Sequence, residues 1–336
     1  MAESLQYTFK DFKSDAEVRW CPGCGDIAIL KAVQTAFAKM GIPKEQFAVI
    51  SGIGCSSRFP YYMNTYGFHT IHGRAGAIAS GVKTANPELS VWQVTGDGDA
   101  LAIGGNHFIH EIRRNIDLNV LLFNNQIYGL TKGQYSPTSL RGQITKTSPF
   151  GTVEDPFNPG TLAIGAGATF FARSIDIRVN ENVDIMLEME KHKGISIFEI
   201  LQNCVIFNNG AHSLYTDRET RDDHQLVLKH GEKMIFGKNK DKGIIIDKEF
   251  RLKVAKIGEN GITEDDILVH DAHNESPILH YELAELRDPI ALGVIRDVEK
   301  INYDKAVHTQ IEEVQKASKI KNMDEVLKSG AVWEVK

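Results

Sequence analysis

Apolar residues in the first two hundred positions alternate between helical stripes and short continuous runs. Asp26 is placed to cap a helix whose apolar positions recur every three or four residues and which Gly41 and Pro43 end. Continuous β-rich runs predict buried strands at residues 47–50, 91–95, 119–124, 169–173 and 195–201. Helical patterns predict intervening helices at residues 75–84, 106–115, 159–167 and 180–191. Because the strands are nearly continuous apolar runs separated by helices, we expect an α/β fold in which helices cover both faces of a mostly parallel sheet.

The pattern changes in the second part of the chain. Residues 1–204 are apolar and rich in glycine, whereas residues 205–336 are more heavily charged. In the second part, the pattern predicts a β-hairpin at residues 242–255 and an amphipathic helix at residues 303–326. We therefore expect a ligand-binding domain over 1–204 and a C-terminal extension over 205–336 that packs on this domain or on a partner.

Composition and charge narrow the classes of function. The 336 residues are 42% hydrophobic and 24% charged, which is typical of a soluble globular protein, and the net charge of −6 disfavours a broad nucleic-acid-binding surface. The uncharged stretch at residues 156–172 contains proline and glycine and is shorter than the ~20 apolar residues of a membrane helix. The N-terminal segment lacks the apolar core of a signal peptide. We therefore expect a cytoplasmic protein that binds neither nucleic acid nor a membrane.

Oxygen ligands for a metal ion follow two predicted strands. The strand predicted at residues 91–95 runs into the sequence Gly-Asp-Gly-Asp, whose first aspartate is Asp97, and the next predicted strand ends in two asparagines, the second of which is Asn125. Mg²⁺ prefers a carboxylate, further oxygen ligands, phosphate and water in octahedral geometry. Asp97, Asn125 and the backbone carbonyl of Ile127 could supply three such ligands beside a phosphate. The alternative is that Asp97 and Asn125 only cap turns.

The four cysteines of the chain, Cys21, Cys24, Cys55 and Cys204, allow several interpretations. In a reducing compartment the Cys-X-X-Cys pair and two further thiols favour a metal or cluster site over disulfides. Structural zinc often uses two Cys-X-X-Cys pairs, and only one is present. A redox-active dithiol would leave Cys55 and Cys204 unexplained, and either of these two could be an ordinary buried thiol. A [4Fe–4S] cluster needs four thiolates that meet in space.

Five sequence blocks resemble those of a known family when they are taken together and in order. The blocks are CPGCG at 21–25, SGIGCSSRFPYY at 51–62, HTIHGRA at 69–75, GDGDALAIGGNH at 96–107 and NNQIYGLTKGQYSPTS at 124–139. The chain is similar to the β subunits of 2-oxoacid:ferredoxin oxidoreductases, densely over residues 14–215 and more weakly beyond. This resemblance implies a thiamine-diphosphate-binding fold in residues 1–204. At Gly76 the chain departs from the bulkier residue of related chains, which we interpret as added backbone freedom.

The resemblance also implies three cofactors, which are thiamine diphosphate, Mg²⁺ and one [4Fe–4S] cluster. The residues that match the family's thiamine contacts are Ile53, Gly54, Cys55, Ser56, His72, Gly98, Asp99, Gly129 and Leu130. The family's Mg²⁺ ligands match Asp97, Asn125 and Ile127, and its cluster ligands match all four cysteines. Because Cys55 belongs to both sets, the cluster should lie close to the thiamine.

The implied reaction is the oxidative decarboxylation of a 2-oxoacid to an acyl-CoA, with electrons passing to ferredoxin, or the reverse reductive carboxylation. Arg58 and Lys132 match substrate-contacting basic residues of the family, although an isolated basic loop residue is more often a solvated surface charge. Two cations suit a dicarboxylate, so we expect 2-oxoglutarate, giving succinyl-CoA. The alternatives are pyruvate, a broad range of 2-oxoacids, a non-oxidative thiamine-dependent decarboxylase and a cluster-bearing electron-transfer subunit that keeps only the fold.

The site predicted from this chain is incomplete. Thiamine enzymes generally use a glutamate that activates the aminopyrimidine, and no glutamate here lies in a suitable motif. The resemblance implies that an α subunit supplies this group in an (αβ)₂ assembly. We therefore expect the α subunit, ferredoxin, the 2-oxoacid and coenzyme A as partners.

Overall fold

The computed structural model describes residues 6–333 and 335, and their centre is an eight-stranded sheet. The strands of the chain, in order, are β1 (Phe47–Ser51), β2 (Tyr66–His69), β3 (Ser90–Gly96), β4 (Asn119–Asn124), β5 (Phe170–Ile175), β6 (Ser196–Leu201), β7 (Gln225–Val227), β8 (Ile235–Phe236), β9 (Lys242–Ile246), β10 (Leu252–Lys256) and β11 (Ile290–Asp297). The order in the sheet is β2-β1-β3-β4-β6-β5-β11-β7, and neighbours are parallel except β11 and β5. The prediction of a mostly parallel α/β sheet is confirmed.

Helices pack on both faces of this sheet. The helices are α1 (Gly25–Met40), α2 (Phe59–Tyr62), α3 (Ala75–Ala85), α4 (Gly105–Arg114), α5 (Pro159–Gly165), α6 (Val179–Lys191), α7 (Ser213–Thr216), α8 (Arg221–His224), α9 (Ile278–Glu285), α10 (Tyr303–Ala317) and α11 (Met323–Leu327). One apolar core forms where α3, α4, α5 and α9 meet the sheet, and a second forms beneath α1 and α6. No helix among residues 6–333 is long and apolar enough to cross a membrane.

Local predictions in the first part differ from the structure in two places. The N-cap of α1 is Cys24, and Asp26 lies inside the first turn, where it is 1% exposed and its carboxylate oxygens have no hydrogen-bond partner among the described residues. Asp26 therefore does not cap the helix, because its side chain points into the protein. Gly41 does end it, in the left-handed conformation with φ of 69°. The edge strand β2 was not predicted, because all four of its residues are exposed and it lacks an apolar run.

The second part contributes directly to the main sheet through β7 and β11. The predicted hairpin is confirmed as β9 and β10, which pair antiparallel. The single helix predicted over 303–326 is wrong, because Ser318 adopts an extended conformation and ends α10. The Asn322 side chain then accepts a hydrogen bond from the Glu325 amide and starts α11. The domain boundary at residue 204 stays a prediction.

Candidate cofactor site

A cleft opens where the parallel strands β1, β3 and β4 end side by side. In open α/β sheets ligands bind beyond the carboxyl ends of the strands. The cleft has a volume of about 180 Å³ and is lined by Ile53, Gly54, Cys55, Ser56, His72, Gly96, Asp97, Gly98, Asp99, Phe123, Asn125, Ile127, Tyr128, Gly129, Leu130 and Thr131. The structure thus brings together all nine predicted thiamine-contacting residues and the three predicted Mg²⁺ ligands. Their contacts with a cofactor stay predictions.

Two glycines let the loops around the cleft approach closely. A Cβ atom on Gly52 would lie 2.0 Å from Oδ2 of Asp99, and one on Gly98 would lie 2.1 Å from the Tyr128 ring. The Tyr128 hydroxyl donates a 3.0 Å hydrogen bond to the Gly98 carbonyl. Any larger residue at position 52 or 98 would push the loops apart, so these glycines are required by the packing of the site.

Asp97 is a buried carboxylate that has no basic partner among residues 6–333 and 335. It is 3% exposed, and its Oδ2 accepts hydrogen bonds from the hydroxyls of Ser136, at 2.6 Å, and Thr138. Burial raises its pKa to about 6, because no positive charge among the described residues compensates the ionised form. A divalent cation would supply that charge. The carboxylate therefore fits the predicted Mg²⁺ ligand.

Asn125 and Ile127 lie in a turn beside Asp97. The Oδ1 atom of Asn125 accepts a 3.2 Å hydrogen bond from the Ile127 amide, so the turn-capping interpretation of Asn125 is also satisfied. An amide oxygen has a second lone pair that remains for a metal ion. A carboxylate, an amide oxygen and a backbone carbonyl form a set of hard oxygen donors, which suits Mg²⁺.

Asp99 differs from Asp97, because protein donors occupy both of its carboxylate oxygens with hydrogen bonds. Its Oδ1 accepts from Nδ1 of His72 at 2.6 Å, from the Gly73 amide at 2.7 Å and from the Ile53 amide at 3.0 Å. Its Oδ2 accepts from the Thr95 hydroxyl at 2.8 Å. Asp99 therefore holds Ile53 and His72 in place at the cleft and leaves Nε2 of His72 available for a ligand.

The side chains that support these carboxylates were not predicted from the sequence. Ser136 and Thr138 lie in the quoted block at 124–139, and Thr95 precedes the Gly-Asp-Gly-Asp turn. Hydroxyl residues next to a predicted metal-binding turn were the available signal. Their partners lie up to 41 positions away in the chain, so only the fold could pair them.

The cysteines gather next to the cleft. A Cβ atom on Gly129 would lie 3.5 Å from both the Cys55 and the Cys204 sulfur, so both thiols lie against this cleft residue. Cys21 is exposed, and the other three cysteines are half-buried. Burial raises the pKa of Cys55 to about 12 and also raises the pKa of Cys24, so neutral thiols are favoured in the metal-free protein.

No single-ion site is formed by these thiols. Within residues 6–333 and 335, no group of three or more His, Cys, Asp or Glu is arranged to hold a metal ion. A cubane cluster presents one iron to each ligand, so its four thiolates stand further apart than those around a single ion. Four cysteines are the number of thiolate donors that such a cluster needs, and the cluster stays a prediction.

The two predicted substrate-binding cations do not line the cleft itself. Nε of Arg58 donates a 2.9 Å hydrogen bond to the buried Tyr62 hydroxyl, which leaves the terminal nitrogens of the guanidinium for a ligand. Lys132 is exposed and adopts a positive φ of 77° in the loop that follows Leu130. Both lie within three residues of a cleft-lining residue, and their binding of a carboxylate stays a prediction.

Known proteins are similar to this chain in sequence and fold. Residues 52–200 match the family described as thiamine pyrophosphate enzyme, C-terminal TPP binding domain. The chain is 48% identical over 306 residues to the 2-oxoglutarate oxidoreductase subunit KorB of Mycobacterium tuberculosis. The aligned residues are 90% of this chain and 81% of that protein. The chain belongs to the family of 2-oxoacid:ferredoxin oxidoreductase β subunits. The prediction made from the five sequence blocks is confirmed.

Two further family members show how far the similarity extends. The 2-oxoacid:ferredoxin oxidoreductase 1, subunit beta, of Aeropyrum pernix is 47% identical over 198 residues, which is 59% of this chain and 62% of that protein. A structure of 2-oxoglutarate:ferredoxin oxidoreductase from Magnetococcus marinus, with 2-oxoglutarate, coenzyme A and succinyl-CoA bound, superposes with a TM-score of 0.79 at 31% identity. That match covers 98% of both chains, so the fold of residues 205–336 is also shared.

Proposed function

We propose that this chain, together with an α subunit, catalyses the thiamine-diphosphate-dependent oxidative decarboxylation of 2-oxoglutarate to succinyl-CoA. The observation that carries the proposal is the cleft, in which Asp97, Asn125 and Ile127 stand beside the predicted thiamine contacts. The relatives named for 2-oxoglutarate and the 2-oxoglutarate-bound structure support the choice of substrate.

The role of this chain is to bind and orient the cofactor. Thiamine diphosphate, when bound, supplies the electron sink that decarboxylation of a 2-oxoacid needs. Asp97, Asn125 and the Ile127 carbonyl would hold Mg²⁺ against the diphosphate, since together they offer hard oxygen donors at one end of the cleft. Asp99 fixes His72 and Ile53 by accepting their N–H groups, so the binding surface is arranged before the cofactor arrives.

Electrons would leave through the cysteine site. Cys21, Cys24, Cys55 and Cys204 would hold a [4Fe–4S] cluster, whose chemistry is one-electron transfer, with ferredoxin as the acceptor. Cys55 lines the cleft and lies next to Ser56 of the predicted thiamine-contacting loop, which favours a short distance between the two cofactors. The same path could serve reductive carboxylation.

Arg58 and Lys132 would bind the carboxylates of the substrate. The bond from Nε of Arg58 to Tyr62 orients the guanidinium and leaves its two terminal nitrogens for a bidentate contact. Two cations match the two carboxylates of 2-oxoglutarate, whereas pyruvate has one. Pyruvate, or a broad range of 2-oxoacids, remains the alternative substrate.

A partner must complete the site. No glutamate is among the described residues that line the cleft, so the activating carboxylate would come from the α subunit, in an (αβ)₂ assembly. Coenzyme A would then react at the shared site.

The proposal is tested with the co-expressed α and β chains purified without oxygen. We expect 2-oxoglutarate to reduce a low-potential viologen dye only when thiamine diphosphate, Mg²⁺ and coenzyme A are present, with formation of succinyl-CoA detected by mass spectrometry. Carbon dioxide release that needs neither coenzyme A nor an electron acceptor would indicate the non-oxidative decarboxylase instead. The isolated β chain should be inactive.

A further inference from the structure

A line of buried polar side chains leads from Asp97 away from the cleft and into the sheet. Each member is 4% exposed or less, and the line consists of Asp97, Thr138, Asn124, Glu199 and Arg173. We call these five residues the buried relay. Three of them lie on adjacent strands, since β4 pairs with β6 and β6 pairs with β5.

Hydrogen bonds join Asp97 to Thr138 and join Asn124 to Glu199 and Arg173, and a close contact between Thr138 and Asn124 lies between the two groups. Thr138 donates to Oδ2 of Asp97, and its Oγ1 also lies 2.9 Å from Oδ1 of Asn124. Nδ2 of Asn124 donates to Oε1 of Glu199 at 2.7 Å, and Nε of Arg173 donates to Oε2 of Glu199 at 2.7 Å. The two oxygens of Glu199 are therefore shared between an amide on one side and a guanidinium on the other.

The far end of the relay is fixed in the fold. Arg173 and Glu199 are directly paired residues of β5 and β6, so backbone geometry sets their separation. Nη2 of Arg173 also donates to the Ala284 carbonyl of α9 at 3.2 Å. The relay thus rests on the rigid centre of the sheet and on a helix of the second part of the chain, although it begins at a loop residue.

The side chains of the two neighbouring asparagines, Asn124 and Asn125, lie in different places. Asn125 lines the cleft, whereas the Asn124 side chain turns into the protein and joins the relay. Both side-chain hydroxyl contacts to Asp97 fall on Oδ2, and no described side chain donates to Oδ1. The relay therefore restrains one carboxylate oxygen and leaves the other for a ligand.

We propose that Thr138 is a positioning residue that orients the predicted Mg²⁺ ligand Asp97 by donating to its Oδ2, and thereby sets the affinity of the site for Mg²⁺. The inference rests on the proposed function, because it concerns the cofactor assigned to this cleft. Partners of this kind orient metal-binding carboxylates, and their loss typically lowers metal affinity about 10- to 100-fold. Valine at position 138 keeps the shape of threonine but removes the hydroxyl that donates to Asp97.

The test compares Thr138→Val and Thr138→Ser in the co-expressed αβ complex. Thiamine diphosphate binding is measured by fluorescence quenching at a series of Mg²⁺ concentrations, and thermal unfolding is recorded for each variant. We expect Thr138→Val to raise the Mg²⁺ concentration at half-saturation by about 10- to 100-fold, with full thiamine binding restored at high Mg²⁺. Thr138→Ser, which keeps the hydroxyl, should stay within about threefold of the parent.

A matched control distinguishes positioning from a loss of structure. Thr152 is a second buried threonine, whose hydroxyl accepts a hydrogen bond from the Glu154 amide and does not join the relay. Thr152→Val should leave the Mg²⁺ dependence unchanged. An unchanged half-saturation in Thr138→Val, or an equal shift in Thr138→Ser, would overturn the inference. If the parent complex itself shows no Mg²⁺-dependent thiamine binding, the proposed function fails first.

Discussion

The cofactor cleft and the cysteine site lie side by side, yet the protein organises them in different ways. In the cleft, Asp99 receives four hydrogen bonds from protein donors and Asp97 receives two from hydroxyls. At the cysteine site, Cys24 and Cys55 are neutral thiols without metal, because burial raises their pKa values. The cleft is therefore arranged in advance, whereas the thiolates need iron to become favourable ligands.

The difference between the two regions implies that cofactor binding and cluster binding can be abolished independently. Cofactor binding in the cleft should depend on carboxylate geometry that the apoprotein already has. Cluster binding should depend on all four thiols, since the loss of any one leaves an iron without its ligand. Variants in one region should therefore spare the other.

Asp97→Ala should have the largest effect on the cleft. The change removes the only buried carboxylate of the predicted Mg²⁺ set, so diphosphate charge would lose its main compensation. We expect thiamine diphosphate to be lost during gel filtration of the αβ complex, while iron and sulfide stay at the parent level. The control is Asp155→Ala, which removes an exposed aspartate paired with Arg141 outside the cleft. Full retention of thiamine by Asp97→Ala would refute the assignment.

Cys204→Ala should give the reciprocal result. Without this thiol the cluster lacks one ligand, so we expect a large loss of iron and inorganic sulfide from anaerobically purified protein. The parent should contain about four of each per chain, the content of one cubane cluster. Thiamine binding should persist, because Cys204 is not among the cleft-lining residues. Stoichiometric zinc without sulfide in the parent would contradict the cluster.

Arg58→Met should change substrate choice more than overall rate. Loss of one charge-assisted contact corresponds to roughly 1.5–3 kcal/mol, so kcat/KM for 2-oxoglutarate should fall about 10- to 150-fold. The values for pyruvate and 2-oxobutyrate should fall much less. Arg141→Met, which removes an exposed arginine, serves as the control. Equal losses for all three substrates would show that Arg58 does not bind the second carboxylate, which 2-oxoglutarate has and pyruvate and 2-oxobutyrate lack.

Glu111→Gln should have the smallest effect on cofactor binding, because Glu111 does not line the cleft. Glu111 is 1% exposed, and burial raises its pKa from 4.5 to about 8. The Glu111 carboxyl therefore keeps its proton in the folded protein up to about pH 8, whereas in the unfolded chain it releases the proton above pH 4.5. The free energy of unfolding consequently decreases as the pH rises from about 4.5 to 8.

Chemical denaturation at several pH values checks the Glu111 prediction. Between pH 5 and 8 the free energy of unfolding of the parent should contain a decrease of about 1.4 kcal/mol per pH unit that Glu111→Gln lacks. Thiamine affinity should change less than about threefold. Parallel pH profiles for the parent and the variant would show that Glu111 is ionised in the folded protein.

Sequence alone predicted those parts of the fold that follow from local pattern. The buried strands were recognised because they are apolar on both faces. Gly41 was recognised as the end of α1 because glycine favours the left-handed conformation in which a helix commonly ends. The strand β2 was missed because its residues are exposed. Gly76 was interpreted as backbone freedom, but a Cβ atom there would lie 2.0 Å from Oε2 of Glu111, so the glycine makes room for that carboxylate.

The candidate site was predictable as a set of residues but not as a set of contacts. Motif spacing identified Asp97 and Asn125, and the cleft brings them together. The same motif could not show that Asp99 is saturated by protein donors, or that Thr138 donates to Asp97 while Asn124 donates to Glu199. Those contacts depend on the packing of separate strands, which local sequence does not encode.

The most direct test of the account follows electrons between the two regions. The anaerobic αβ complex is mixed with 2-oxoglutarate and coenzyme A in a stopped-flow spectrometer, and the visible absorbance of the cluster is recorded for the parent and for Asp97→Ala. We expect rapid bleaching in the parent and none in Asp97→Ala, although both should contain the same iron and sulfide. Equal bleaching in the variant, or no 2-oxoglutarate-dependent bleaching in a parent complex loaded with thiamine and iron, would contradict it.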